Sequence, residues 1–219
     1  MISRKRRLKN CRLYLVLSAP KRKRPLKNAE KRLLRVAKEA IRGGVDILQL
    51  RLKDASDRQI LTLGKKIRQL TSKAGILFII NDRADLVNVL KADGVHIGQE
   101  DLPVKYIRPL IGKQKIVGIS THSLKQAKAA TKQGADYISI GPIFATPTKP
   151  EYKPVGLKVL KAVSKAVDIP FFAIGDIGPH SVDPAIGSGA EKIAVVRAIT
   201  EAEDVCKSTA FIKNRIDRA

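Results

Sequence analysis

Three long polar side chains alternate with leucines in the segment Gln49-Leu50-Arg51-Leu52-Lys53, directly after an apolar run. Because alternate residues of a β-strand point to the same face, Gln49, Arg51 and Lys53 are expected to project together. Burying three such groups is costly unless they meet a ligand. Arg offers a planar fork of donors and Lys a compact charge, which together suit a diphosphate. An internal layer of ion pairs with acidic residues is the alternative interpretation.

Two carboxylates follow successive apolar runs, one in Asn81-Asp82-Arg83 and the other at Asp101, beyond the run Gly94–Ile97. If these runs are neighbouring strands, the two carboxylates can share one Mg²⁺, which prefers one or two carboxylates together with substrate phosphates and water. Asp82 taken alone is weak evidence, because an Asp at that place can simply cap a helix. Its occurrence together with Asp101 and the two nearby cations supports a magnesium site.

Ser120-Thr121-His122 follows a fifth apolar run. Ser120 and His122 can hydrogen-bond a heterocycle, and His122 can also move protons. A structural role for a single His at a loop start is an equally good interpretation.

A segment rich in Gly, Pro and Thr runs from Gly141 to Lys149 and contains Thr146, Thr148 and one cation. It is long for a plain connection in a compact domain. It is therefore predicted to be an active-site loop that closes over phosphate.

Eight short apolar runs alternate with amphipathic segments along the chain. They are Arg12–Ser18, Val45–Leu50, Ile76–Ile80, Gly94–Ile97, Ile116–Ile119, Tyr137–Ile140, Pro170–Ile174 and Lys192–Val196. Most are continuously apolar, which is typical of parallel strands buried on both faces. Eight evenly spaced βα units without a long insertion favour a single (β/α)8 TIM barrel over a doubly wound open sheet. Active-site groups are then expected where each strand ends, with a phosphate site after the last two strands.

Length and composition support one domain. The chain has 219 residues, of which 44% are hydrophobic. No apolar run approaches the roughly 18 residues of a transmembrane helix, and Leu13–Leu17 is too short for the core of a signal peptide. Cys11 and Cys206 show neither metal-ligand spacing nor a disulfide framework, which fits a reducing cytoplasm. We expect a basic N-terminal extension at residues 1–11 and a catalytic barrel at 12–219.

The formal net charge is +23, and residues 1–35 alone hold 14 Lys or Arg against one Glu. Two clusters stand out in that stretch, Arg4–Arg7 and Lys21–Arg24. A nucleic acid or another anionic surface would explain such charge. Solvated surface charge is the favoured interpretation, because no nucleic-acid module and no interleaved aromatic residues accompany it.

Several of these segments, in this order, resemble the thiamine phosphate synthase family: Gln49–Lys53, Ile80–Asp82, Gly94–Asp101, Gly118–Ser120 and Gly141–Lys149. The resemblance extends from about Arg12 to Ile199. It implies an enzyme that couples hydroxymethylpyrimidine diphosphate to thiazole phosphate, giving thiamine phosphate and diphosphate. In that family the diphosphate leaves first, and the thiazole nitrogen then captures the pyrimidine methyl cation.

The resemblance also implies a role for each matching residue. Mg²⁺ would be bound by Asp82 and Asp101. The diphosphate ligands would be Arg51, Lys53 and Lys149, which with Ser120 form the expected catalytic set. The pyrimidine would contact Gln49, Asn81 and Ser120. The thiazole partner would contact Thr146 and Thr148, with its phosphate near Gly175, Val196 and Arg197.

Two departures from the family pattern fall at the expected thiazole phosphate site. The chain has Gly175-Asp176-Ile177 where the family usually reads Gly-Gly-Ile, and it has Arg197 where a small residue such as Ser is usual. An Asp side chain should repel phosphate and an Arg should attract it. A compensating Asp176–Arg197 ion pair and a changed acceptor substrate are both open at this point.

Two other functions remain as alternatives. Ser120-Thr121-His122-Ser123-Leu124 also matches thiazole tautomerase, a relative that isomerises the thiazole ring. A tautomerase needs neither paired metal carboxylates nor a diphosphate clamp, so the synthase is favoured. The second alternative is a barrel without activity whose basic N-terminus binds nucleic acid. Small-molecule substrates, with no membrane partner, are expected.

Overall fold

Eight parallel strands close into one barrel in the order in which they occur along the chain. The computed structural model describes residues 3–19, 26–147 and 152–219. The strands are β1 (Leu13–Ser18), β2 (Ile47–Arg51), β3 (Leu77–Asn81), β4 (Gly94–Ile97), β5 (Ile116–Thr121), β6 (Tyr137–Ile140), β7 (Phe171–Ala173) and β8 (Ile193–Val195). Each strand pairs with the next, and β8 pairs with β1. The predicted (β/α)8 barrel is confirmed.

Helices alternate with these strands on the outside of the barrel. Within the described residues they are α1 (Arg4–Asn10), α2 (Leu26–Arg42), α3 (Asp57–Ala74), α4 (Leu86–Val89), α5 (Val104–Ile111), α6 (Leu124–Lys132), α7 (Gly156–Ala166), α8 (Val182–Gly187), α9 (Arg197–Thr200) and α10 (Val205–Asp217). None of the described helices combines the length and apolar character needed to cross a bilayer.

All eight strand predictions are confirmed, with bounds that differ from the observed ones by at most two residues. Alternation along each strand divides the side chains between two apolar layers. In β1, Leu13 and Leu15 pack in the layer shared with the surrounding helices. Tyr14 and Val16 point the other way, into the barrel interior. Both faces of the strands are therefore buried, which explains why the strands read as continuous apolar runs.

Side-chain caps fix two helix starts close to where the sequence indicates them. At α3, Ser56 and Gln59 form a reciprocal capping box. At α6, the Ser123 hydroxyl accepts from the Gln126 N–H at 3.2 Å. The Gln126 side chain, however, accepts from the N–H of His122 at 2.7 Å. In a capping box the Gln126 side chain would accept from the N–H of Ser123, whereas here it accepts from the N–H of the preceding residue, His122. This hydrogen bond holds the backbone of His122 in place.

Three aspartates precede alternate strands at the N-terminal end of the barrel: Asp46 before β2, Asp93 before β4 and Asp136 before β6. Each accepts a backbone N–H from the start of the previous strand, at 2.8 Å, 3.0 Å and 2.8 Å respectively. Each is also paired with at least one cationic side chain. The carboxylates thus tie neighbouring strands together at the end of the barrel opposite the strand carboxyl termini.

The basic segment before β1 forms α1, which packs on that same end. Leu8 is 1% exposed and belongs to the apolar cluster inside the barrel. The Arg4 side chain pairs with Asp93 and the Lys5 side chain with Asp136, each at 2.8 Å. Part of the Arg4–Arg7 charge cluster is therefore used within the fold. The second cluster, Lys21–Arg24, lies outside the described residues.

Candidate active site

The predicted site residues converge at the end of the barrel where the strands end. A cavity of about 630 Å³ opens there, and its wall includes Gln49, Arg51, Asn81, Ser120, Thr146, Gly175, Val196 and Arg197. Three further described site residues, Lys53, Asp82 and Asp101, lie outside that wall. Thr148 and Lys149 fall outside the described residues, so their expected roles stay predictions.

The end of β2 delivers one amide and one guanidinium to the cavity. Gln49 is 3% exposed, and its Nε2 donates to the Tyr14 hydroxyl at 2.7 Å. Arg51 is the half-buried last residue of the strand. The expectation that Lys53 shares their face by strand alternation was wrong, because β2 ends at Arg51 and Lys53 lies exposed in the following turn. Neither cation pairs with a described acidic residue, so the alternative of an internal ion-pair layer is not seen there.

Asp82 stands directly after β3 in a conformation that most side chains avoid. Its φ is +61°, in the left-handed region, where Asp and Asn are more common than other non-glycine residues. Its N–H donates to the carbonyl of His96 at 2.8 Å, which links the ends of β3 and β4. Non-glycine residues held in this region cost on the order of 1–3 kcal/mol and cluster at functional sites. The backbone therefore holds the Asp82 carboxylate at one defined place.

Asp101 reaches the same place from the loop after β4. Its Oδ2 accepts from the N–H of Gly98 at 2.6 Å, which fixes the turn that carries it. The pKa of Asp82 is raised above its usual range, first because burial removes water from the carboxylate and then because the Asp101 charge repels it. The charges of Lys53 and Arg51 lower that pKa and so act in the opposite direction. Four charged groups, from three loops and one strand end, therefore act on each other here.

The donor chemistry of this pair fits a hard divalent cation. Both ligand candidates are carboxylates, and burial together with the neighbouring Asp101 charge raises the pKa of Asp82. In the described part of the chain, no group of three or more His, Cys, Asp or Glu is arranged to hold a metal. An ion bound by Asp82 and Asp101 would need its remaining ligands from substrate and water, which is the pattern of Mg²⁺.

Ser120 in β5 and His122 directly after that strand line the cavity beside the end of β4. The Ser120 Oγ lies 2.9 Å from His96 Nε2, and the Ser120 carbonyl accepts from the Gln99 side chain. His122 Nδ1 contacts the carbonyl of Gly141, and its ring stacks on Tyr152 with centroids 4.4 Å apart. Because a carbonyl only accepts, Nδ1 of His122 carries a proton.

The loop after β6 is anchored on the end of β7. The N–H groups of Ile143 and Phe144 donate to the carbonyls of Ile174 and Gly175, at 2.8 Å and 3.1 Å. A Cβ on Gly175 would lie 2.4 Å from Pro142 Cα, and Gly175 itself has a φ of +113°. A glycine is therefore required at 175 for close packing, whatever the residue also contributes to a ligand site. Thr146 extends from this anchored loop into the cavity wall.

Asp176 and Arg197 form an ion pair at the cavity rim, after β7 and β8. Asp176 is another non-glycine residue with positive φ, at +51°. The compensating pair that the sequence left open is confirmed.

Four polar residues of the barrel interior were missed by the sequence reasoning: Tyr14, His96, Tyr137 and Ser139. They form a hydrogen-bonded group at the wall of the cavity, where Tyr14, His96 and Ser139 line it. One signal was available, because strand alternation puts His96 on the same face of β4 as Gly94, a position without a side chain. The other contacts join β1, β4 and β6, which are far apart in sequence.

The model of the family described as thiamine monophosphate synthase matches residues 13–199. The chain belongs to this family. It is 42% identical to the thiamine-phosphate synthase of Gloeobacter violaceus over 97% of this chain and 59% of that protein. It is 44% identical to the thiamine-phosphate synthase of Pelotomaculum thermopropionicum over 84% of this chain and 85% of that protein.

Among solved structures, the barrel is similar to thiamine phosphate pyrophosphorylase from Pyrococcus furiosus. The TM-score is 0.85 at 33% identity, with 96% of this chain and 98% of that one covered. Orotidine 5′-phosphate decarboxylase from Pyrococcus horikoshii, with a TM-score of 0.65 at 14% identity, shares the fold alone.

Relatives within the thiamine monophosphate synthase family differ in length. The chain spans 56% to 59% of the length of four curated relatives, which are named thiamine-phosphate synthases. The match therefore assigns the barrel to the family, and the activity is argued below from the site.

Proposed function

We propose that the protein joins hydroxymethylpyrimidine diphosphate to thiazole phosphate, releasing diphosphate and forming thiamine phosphate. The observation that carries this proposal is the carboxylate pair Asp82 and Asp101, which interact with each other and with Arg51 and Lys53 at the barrel mouth. Two cations suit a diphosphate, and two carboxylates suit its Mg²⁺ counter-ion. The names of the family relatives agree with it.

Mg²⁺ fits the donor set of Asp82 and Asp101, which would hold it from two loops. When bound, the ion supplies charge neutralisation for the departing diphosphate. Arg51 would bind diphosphate oxygens with its planar fork, and Lys53 would add a point charge from the exposed turn. Lys149 has the same role by family resemblance.

Gln49, Asn81 and Ser120 would orient the pyrimidine, since all three line the cavity. The bond between the pyrimidine methylene carbon and the diphosphate oxygen breaks first, and its electron pair leaves with the diphosphate. The thiazole nitrogen then supplies the pair for the new carbon–nitrogen bond. No protein nucleophile is needed, so the protein contributes orientation, charge and exclusion of water. Thr146 and, by resemblance, Thr148 would orient the thiazole, with its phosphate near Gly175, Val196 and Arg197.

The test is diphosphate release from the two substrates with Mg²⁺, comparing the wild type with Asp82→Ala. Release should require both substrates and the metal, and it should fall by about 100-fold or more in the variant. Asp85→Asn is the matched control, since Asp85 is an exposed carboxylate three residues away that pairs with Arg83. Equal loss in both variants, or release without metal, would contradict the assignment.

A thiazole isomerase is the second candidate, and His122 is the observation in its favour. The ring lines the cavity and is oriented by Gly141 and Tyr152, as a proton-transferring group needs to be. Thiazole isomerisation in the same samples without diphosphate release would move the assignment to this activity. The expected cytoplasmic location also remains a proposal, supported by two free cysteines.

A further inference from the structure

Five side chains form one hydrogen-bonded chain across the barrel interior. Gln49 Nε2 donates to the Tyr14 hydroxyl at 2.7 Å, and the Tyr14 and Tyr137 hydroxyls are 2.9 Å apart. The Tyr137 hydroxyl lies 2.9 Å from His96 Nδ1, and His96 Nε2 lies 2.9 Å from the Ser120 hydroxyl. The chain thus begins and ends on residues that line the cavity.

The middle of this chain is buried. Tyr14 and Tyr137 are at most 2% exposed, and burial raises the pKa of both hydroxyls, so each keeps its single proton. The His96 and Tyr137 rings stack with centroids 5.4 Å apart. A Cβ on Gly118 would lie 2.0 Å from Tyr137 Cζ, so the ring occupies space that only a glycine leaves open.

With the Gln49 amide nitrogen facing Tyr14, proton counting gives the chain one direction. An amide nitrogen only donates, so Tyr14 accepts from Gln49 and must use its own proton toward Tyr137. Tyr137 then donates to His96 Nδ1, which must be unprotonated. The ring proton is on Nε2 and points to the Ser120 oxygen, with the Ser139 hydroxyl a more distant neighbour at 3.5 Å. The Ser120 proton is left to point toward the cavity.

We propose that Tyr137 is a positioning residue that acts through His96, making the Ser120 hydroxyl a hydrogen-bond donor to a ring nitrogen of the bound pyrimidine. This rests on the proposed function for the identity of the ligand. The direction of the chain does not rest on it, because the direction follows from the protein's own donors and acceptors. The opposite direction requires the Gln49 amide to be turned over, and it would make His96 Nδ1 the protonated nitrogen and Ser120 an acceptor from the ligand.

The first test is ¹⁵N NMR of the histidine side chains in the ligand-free protein. The chain has three histidines, and His96 is identified by the signal lost in His96→Gln. We expect a neutral ring protonated on Nε2, with Nδ1 shifted by an accepted hydrogen bond. In Tyr137→Phe the Nδ1 signal should move in the direction expected for the loss of the hydrogen bond from the Tyr137 hydroxyl. Tyr14→Phe, which removes an equally buried hydroxyl, should leave it nearly unchanged. A ring protonated on Nδ1 in the wild type would overturn the proposal.

The second test is a double-mutant cycle on binding of hydroxymethylpyrimidine diphosphate with Mg²⁺ and no acceptor. Tyr137→Phe should weaken binding by about fivefold, because it removes one hydrogen bond that orients His96. In a Ser120→Ala background the same change should have less than about a twofold effect, because its route to the ligand is gone. Tyr14 contacts Gln49, at the other end of the hydrogen-bonded chain. The effect of Tyr14→Phe on binding should therefore persist in the Ser120→Ala background.

These outcomes separate the inference from the proposed function. An undiminished Tyr137→Phe effect in the Ser120→Ala background would reduce Tyr137 to a structural residue and refute the inference, even if the protein is a synthase. If the ¹⁵N signals follow the expected pattern but the pyrimidine diphosphate does not bind, the proposed function fails and the ligand half of the inference fails with it. Only the direction of the hydrogen-bonded chain would then remain supported.

Discussion

Asp176, after β7, pairs with Arg197, the first residue of α9, across the site where the family resemblance puts the thiazole phosphate. The Asp176 carboxylate accepts a hydrogen bond from the Arg197 guanidinium, which leaves fewer donors of that group available to a phosphate. The two side chains are 43% and 34% exposed, so the pair itself contributes little to stability. The pair matters because the Asp176 carboxylate reduces the positive charge that the phosphate of an incoming acceptor meets at Arg197.

We expect Asp176→Gly to lower the KM for thiazole phosphate by about fivefold, because removing a partly exposed charge is worth about 1 kcal/mol. A glycine accepts the φ of +51° at this position without strain. Arg197→Ala should raise the KM by a similar factor. Steady-state assays of both variants check this, with the unphosphorylated thiazole alcohol as the control substrate. A rise in KM for Asp176→Gly would mean that the carboxylate helps to bind the acceptor.

Asp82→Asn is expected to stabilise the metal-free protein while abolishing its response to Mg²⁺. The folded-state pKa of Asp82 is raised, so its contribution to stability is present at low pH and is lost as the pH rises through that pKa. At neutral pH the ionised group therefore opposes folding, and Asn removes the charge while tolerating the left-handed conformation. Thermal unfolding at pH 7 should show a higher Tm for the variant without metal.

The same experiment tests the metal site. Mg²⁺ at 100 times its Kd should stabilise the wild type by about 2.7 kcal/mol and leave Asp82→Asn unaffected. Asp85→Asn removes an exposed carboxylate that pairs with Arg83 in the same loop, so it should not raise the Tm and should keep the wild-type response to Mg²⁺. A variant that is less stable without metal, or that still responds to Mg²⁺, would show that Asp82 serves the fold and not an ion.

Most of the fold and the position of the site were accessible from the sequence, because local patterns carry that information. Buried parallel strands leave continuous apolar runs, and the closed barrel brings all strand ends to one mouth. Gln49, Arg51 and Ser120 were therefore found at the right place. Lys53 was expected to share the face of Gln49 and Arg51 because polar and apolar residues alternate as far as Lys53, whereas β2 ends at Arg51.

Contacts between distant segments were not accessible. The hydrogen bond between Tyr14 and Tyr137 joins residues 123 positions apart, and each residue alone is an ordinary apolar strand position. Residues 1–11 were predicted to be a basic extension because they lie outside the family resemblance. Leu8 is the one buried side chain of α1, and a single leucine gives no periodicity.

Leu8→Ala is expected to lower the free energy of unfolding by about 2–5 kcal/mol, since it truncates a fully buried side chain in the barrel interior. Urea unfolding measures this quantity. Lys9→Ala, one residue along α1 and exposed, is the matched control and should stay within about 0.5 kcal/mol of the wild type. If both variants match the wild type, α1 is not part of the cooperative fold.

Asp93 should make the fold sensitive to acid. Burial alone would raise the pKa of this carboxyl, but the N–H of Phe78 and the guanidinium groups of Arg68 and Arg4 outweigh it, and the pKa lies below its usual range. The folded pKa is thus lower than the unfolded one, which is about 3.9. The stability from this carboxylate is fully present above about pH 4 and is lost as the pH falls through the folded pKa.

Asp93→Asn should therefore be less stable than the wild type at pH 7, and the difference between the two should shrink as the pH falls below about 4. Urea unfolding between pH 7 and the lowest pH at which both proteins are folded checks this. Asp168→Asn, an exposed carboxylate before β7, is the control and should run parallel to the wild type at every pH. A constant difference between wild type and Asp93→Asn would mean that Asp93 acts through its neutral hydrogen bonds, and that the cations of α1 and α3 add nothing to the closure of this end of the barrel.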